Sequence, residues 1–198
     1  MKKIMLLCLI VLCFAFINQI AFSQSIAIVD LSKIEQEAPL VKSIDKEIED
    51  KGLSYKKELE IRNRFKYLTE AEVKEIIDTV EATQRIKELE AQDDSRNSEL
   101  IALNQKTPLN DTEKARQTEL ISMSKKSEEN LRNVATGFEK LFNEFAMGKQ
   151  IELNNQITAA TKSVVEEKGF SIALQKGAII YGGTDITADV MAKLPASL

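Results

Sequence analysis

The chain has 198 residues, a formal net charge of −4, no histidine, no tryptophan and two cysteines. Imidazole is therefore excluded both as a general base and as a metal ligand, and the acidic balance argues against nucleic acid as a partner. With few aromatics and thinly spread apolar residues, the composition points to paired helices with a narrow buried seam rather than a thick core.

Lys2 and Lys3 precede an almost uninterrupted apolar run, Ile4 to Ile17, and Ala21-Phe22-Ser23 offers small residues at the two positions a signal peptidase reads. Residues 1–23 are therefore read as a signal peptide cleaved before Gln24. The apolar run is short for a membrane span, which needs about 20 residues. Leu12 before Cys13 argues against lipoprotein processing. Cleavage removes Cys8 and Cys13, so no disulfide or thiolate chemistry is left. It also removes two lysines, which takes the net charge from −4 to about −6. Export places the chain outside the cytoplasm, where ATP is not normally supplied.

Ser25-Ile26-Ala27-Ile28-Val29-Asp30 alternates and reads as a strand. Residues 31–37 are read as a short helical turn, and Pro39 suits the first turn of the helix that follows. The first long helical arm is predicted from Pro39 to Gln105. Leu40, Ile44, Ile48, Tyr55, Leu59, Phe65 and Leu68 carry its stripe, continued by Val73, Ile76, Ile77, Val80, Ile86 and Leu89. Thr69 with Glu72 forms a capping-box pattern, so a bend is expected near Tyr67–Glu70. Asp93 to Ser98 is all polar and is expected to be weak or exposed. The chain is predicted to reverse at residues 106–111, with Asn110 and Glu113 capping the returning helix.

The second arm is predicted from Asp111 to Lys168. Leu120, Ser124, Ser127, Leu131, Val134, Phe138, Leu141 and Phe145 keep a three-four alternation, the pattern of a helix-pairing seam. The arms would extend roughly 100 and 87 Å, a near match suited to an antiparallel hairpin. Beyond Gly169 the period changes. Phe170 to Leu174 and Ala178 to Tyr181 read as strands, and Asp185 or Thr187 begins a short last helix through Leu194.

The predicted fold class is α+β. A small β-rich base comes from both chain ends, 24–38 and 169–198, and a long antiparallel α-helical hairpin spans 39–168. A base of about 40 residues is marginal alone, so self-association is expected.

The terminal segments Ile26-Ala27-Ile28-Val29-Asp30, Gly169-Phe170-Ser171-Ile172-Ala173-Leu174, Ala178-Ile179-Ile180-Tyr181 and Asp185-Ile186-Thr187-Ala188-Asp189-Val190 resemble the Skp/OmpH family of periplasmic chaperones. The likeness covers about 35 residues at the ends; the arms resemble the family by length and pattern only. The resemblance implies a homotrimer joined through its small β-domains, with helical tentacles around a cavity. It implies a holdase that keeps unfolded outer-membrane β-barrel proteins from aggregating in the periplasm, without nucleotide or other cofactor. The chain departs from the family's basic charge, which argues against lipopolysaccharide or anionic-lipid contact. Its middle is also longer.

Client-binding candidates are apolar residues in excess of a two-helix seam: Phe138, Phe142, Phe145 and Met147, with Tyr67, Ile121 and Met123 further out. Ile26, Ile28, Ile172, Leu174, Ile179 and Tyr181 are expected at assembly or core positions. Asp30, Glu35, Asp185 and Asp189 are read as caps and solvated surface rather than a catalytic group. No catalytic or metal-binding constellation is predicted. The alternative reading is a structural or adaptor protein of the envelope whose arms bind a folded partner.

Overall fold

The computed structural model describes residues 25–79 and 83–198. The predicted signal peptide and Val80 lie outside the described residues. The chain divides into two units. One holds the described residues up to Asp45 together with Lys149–Leu198, and the other is Lys46–Gly148.

In the first unit, β1 (Ile26–Val29) is followed by the short helix α1 (Leu31–Glu37). Asp30 caps α1: its side chain accepts the Lys33 N–H at 3.1 Å. Helix α2 (Pro39–Arg64) begins in this unit and α5 (Asp111–Lys168) ends in it. Gly169, at φ 71°, stops α5 in the left-handed conformation that glycine adopts without a Cβ penalty. Strand β2 (Ile172–Gln175), a 3-10 turn (Lys176–Ala178), β3 (Thr184–Asp185) and helix α6 (Thr187–Lys193) complete the unit.

The sheet order is β2-β1-β3, with both pairings parallel. Ile26 pairs with Ile172 and Val29 with Gln175. The face of β1 turned to the core carries Ala27 and Val29, joined in burial by Ile34, Leu40, Val41, Ile44, Leu153, Ile157, Val164, Ile186 and Val190. The Asp30 N–H donates to the Thr187 hydroxyl at 2.8 Å, which ties β1 to the start of α6.

The predicted strand at Ala178–Tyr181 is not formed. The 3-10 turn occupies its start, and Gly182 and Gly183, at φ 89° and 92°, redirect the chain to the far edge of β1. The third strand is the two-residue β3, too short to give a periodic signal.

In the second unit, α2 and α5 run antiparallel. Gly52 meets Phe142, the rings of Tyr55 and Phe138 stack at 4.3 Å, and the Ser127 hydroxyl donates to the Phe65 carbonyl at 3.2 Å. The first arm is three helices: the bend expected near Tyr67–Glu70 is present, and it turns the chain back rather than onward. After α2 the chain turns at residues 65–69 into α3 (Glu70–Asp78), then continues as α4 (Thr83–Gln105). Glu75 pairs with Arg85, Glu72 with Gln92 and Arg96, and the Tyr67 N–H with Asp93, so α3 runs antiparallel to α4. The extra length of the middle is folded back rather than laid end to end. A stripe at three-four spacing cannot reveal this, because it continues unbroken through the turn.

Both predicted capping boxes form. The Thr69 and Glu72 side chains exchange hydrogen bonds with each other's N–H, and Asn110 with Glu113 does the same at the start of α5. The second box follows the reversal, with α4 ending at Gln105 and α5 starting at Asp111.

Several of these carboxylates titrate below their ordinary range. Lys176, at 2.7 Å, and the Lys33 N–H hold Asp30 down. The Thr187 hydroxyl and N–H do so for Asp185, and Lys106 and the Asn110 N–H for Glu113. A lowered native pKa contributes stability that is complete above the unfolded value and is lost as pH falls through the native one. Thermal unfolding followed by circular dichroism should therefore give a lower Tm at about pH 3 than at about pH 7. Lys176→Met should narrow that gap by removing the largest cause of the Asp30 shift. An equal or higher Tm in acid would contradict this linkage.

Candidate functional surfaces

The first unit exposes apolar side chains that its own core does not use. Register places Ile26 beside Ile172 and Ile28 beside Leu174, and paired positions share a face of a sheet. Ile26, Ile172 and Leu174 are exposed, and Ile28 is half-buried. Ile180 and Tyr181 are almost fully open at 105% and 97%. A groove of about 450 Å³ lies in the same unit, lined by Val29, Leu31, Ile157, Val165 and Ala173 among others.

In the second unit the α2–α5 pair forms an apolar groove of about 610 Å³ lined by Tyr55, Leu59, Leu131, Ala135, Phe138 and Phe142 among others. Phe138 and Phe142 are half-buried and belong to the helix pairing, through Tyr55 and Gly52 respectively. Leu141, predicted in the seam, is instead 50% exposed. The seam passes through position 142 because the periodic positions of α5 are offset by one there. Met147 is 66% exposed and Ile121 is exposed, whereas Phe145 is half-buried.

Around the fold-back, Phe65, Leu68, Val73, Ile76 and Leu89 form a buried cluster, with Ile61, Ile77 and Ile86 packed against it. Met123 is half-buried and lines a small pocket with Leu68, Val73 and Leu131. Tyr67 is half-buried, and α4 grips its backbone from both sides. Its N–H donates to Asp93 at 2.7 Å, and its carbonyl accepts from Arg96 at 2.7 Å. Within the stretch Asp93–Ser98, expected to be weak or exposed, Asp94, Ser95, Asn97 and Ser98 are exposed, but Asp93 is only 8% exposed. Burial pushes its carboxyl above the usual range, against the opposing pull of the Tyr67 and Lys66 N–H groups. Burial pushes Glu72 up as well, but the Thr69 N–H and hydroxyl and then Arg96 outweigh it, and Glu72 ends low.

Of the predicted client-binding residues, the structure leaves Met147 and Ile121 open and places Phe138 and Phe142 in the helix pairing. Of the predicted assembly or core residues, Ile26, Ile172, Leu174 and Tyr181 are exposed in the single chain, and Ile28 and Ile179 are half-buried. None of the six is among the fully buried side chains of this unit. The sequence reading missed Leu141, Ile180 and the Asp93–Arg96 grip. For the grip the signal was an Asp-Asp pair followed by Arg96, a pattern that a solvated helix face also shows.

Among the described residues, no helix is long and apolar enough to cross a membrane, and no group of three or more acidic, cysteine or histidine residues is placed to hold a metal ion.

A mostly helical chain with a small open three-stranded sheet is an α+β architecture. No curated protein matches the sequence significantly. The OmpH-like outer membrane protein family matches it over residues 25–194, and the chain belongs to that family. Members are non-catalytic chaperones of the periplasm, and the protein is not an enzyme.

Proposed function

We propose that the protein is an ATP-independent holdase that binds unfolded outer-membrane β-barrel proteins in the periplasm and prevents their aggregation. The family match over residues 25–194 carries this reading. The exposed Leu141, Met147 and Ile121 support it, since they lie on the helical unit outside its own pairing. Several weak apolar contacts hold a client by avidity and still release it. The helical unit acts as the client-gripping arm. Residues 1–23 serve as the export signal.

In this reading three copies join through the first unit, where an exposed apolar sheet face and the Ile180–Tyr181 loop are the docking elements. Ile180→Ser with Tyr181→Ser should then shift the assembled species toward single chains in light scattering. Circular dichroism should change little, because neither side chain packs within its own chain. An unchanged assembled mass would remove this loop from the interface.

A pull-down with native and urea-denatured envelope proteins tests the holdase reading. Retention of the denatured forms alone supports it. Retention of one native protein, with the denatured forms ignored, overturns it in favour of the adaptor reading.

A further inference from the structure

The fold-back helix α3 is nine residues long, below the roughly 12–15 residues at which an isolated helix holds itself together in water. Its position therefore depends on what it lies against. Val73 and Ile76, with Ile77 beside them, sit on Ile61, Phe65, Leu68, Ile86 and Leu89 of the flanking segments. Its acidic side chains meet three arginines. Glu70 pairs with Arg62 at 2.7 Å, Glu75 with Arg85 at 2.8 Å, and Glu72 with Arg96 at 3.3 Å. On a chain of net negative charge, this is an apolar patch ringed by cations, covered by a short acidic amphipathic helix.

We propose that α3 is a displaceable plug over a client-binding surface formed by Ile61, Phe65, Ile86 and Leu89, and that the surface takes amphipathic client segments in which carboxylates flank aliphatic residues. The chemistry of the occupant is that of α3 itself: aliphatic groups for the patch and carboxylates for Arg62, Arg85 and Arg96. The Asp93 and Arg96 grip on Tyr67 fixes the turn from which α3 hangs. Asp93 is a positioning residue that sets how readily the plug lifts, whereas Arg96 both holds the Tyr67 carbonyl and receives a carboxylate of the occupant. Local opening of such a segment needs far less than global unfolding. The inference rests on the holdase reading for its biological occupant, but not for its mechanics.

Hydrogen exchange read by mass spectrometry on the whole protein tests it. In the free protein, α3 amides should exchange at least about tenfold faster than those of the α5 segment paired with α2. Asp93→Ala should speed α3 exchange roughly tenfold further without affecting the first unit. Thr69→Ala, which loses the cap and leaves Ile61, Phe65, Ile86 and Leu89 unchanged, should speed it roughly fivefold. A synthetic peptide copying residues 66–79 should protect the α4 amides near Leu89 while speeding exchange in α3. The same peptide with its glutamates changed to lysine should bind at least about tenfold more weakly. If α3 exchanges as slowly as α5, or if the peptide protects α3 along with α4, the plug is overturned.

A urea-denatured outer-membrane β-barrel protein, added to the same experiment, separates the two readings. Binding with faster α3 exchange supports both. Binding that leaves α3 unchanged overturns the plug and keeps the holdase. Displacement by the peptide with no binding of the denatured barrel keeps the plug and overturns the holdase.

Discussion

Gly183→Val should destabilise the first unit by about 2–5 kcal/mol. Two independent causes meet at this residue. Its φ of 92° lies where a β-branched side chain is strained. A Cβ there would also fall 2.6 Å from Ile28 Cγ1 and 2.7 Å from Cδ1. Cδ1 is the free end of the side chain and can swing aside, but Cγ1 moves only by a change of χ1, which a β-branched side chain resists. Gly182 separates the causes. It has a similar φ of 89° with nothing within 4 Å of its Cβ position, so Gly182→Val should cost only the strain, about 1–3 kcal/mol. Chemical denaturation followed by circular dichroism checks both. Equal losses at the two positions would mean that the close approach of Gly183 to β1 has no energetic consequence.

Phe138→Ala should cost about 2–4 kcal/mol in the second unit, and Met147→Ser close to nothing. Phe138 lies against Tyr55 with the rings nearly parallel at 13°. Its removal leaves a gap in the helix pair and an unpaired tyrosine face. A double-mutant cycle with Tyr55→Ala should therefore give a coupling of about 0.5–1.5 kcal/mol. Met147 is largely open to solvent, so its loss leaves packing intact. The functional readouts should invert this order. Under the holdase reading Met147→Ser weakens capture of denatured chains at full stability, whereas any weakening by Phe138→Ala follows from loosened helices. If Phe138→Ala leaves stability untouched but abolishes capture, the aromatic pair is a client contact and not a seam.

What the sequence disclosed, and what it hid, follows from the range of each signal. The caps at Thr69 and Asn110 were legible because a cap is a local pattern of two side chains three residues apart. The strand at Ile26–Val29 and its pairing with Ile172–Gln175 were legible from β-branched alternation at both ends of the chain. The register, Ile26 beside Ile172 and Val29 beside Gln175, is set by the structure alone. The fold-back of α3 was hidden because Val73, Ile76 and Leu89 keep a helical stripe whether the chain runs straight or doubles back. β3 was hidden because two residues carry no period, and Ala178–Tyr181 was mistaken for a strand because its apolar run serves exposure rather than pairing. Among surface candidates, Phe138 and Met147 look alike in one dimension. Only the rotation of α5 against α2 separates them, which lays Phe138 against Tyr55 and Phe142 beside Gly52 and leaves Met147 open.

Light scattering of a urea-denatured outer-membrane β-barrel protein, diluted into buffer with and without this chain and without nucleotide, bears most directly on the central claim. The folded protein should hold the scattering near baseline at a ratio no higher than about one assembled particle per client. Undiminished scattering, from a preparation shown to be folded and assembled, would contradict it.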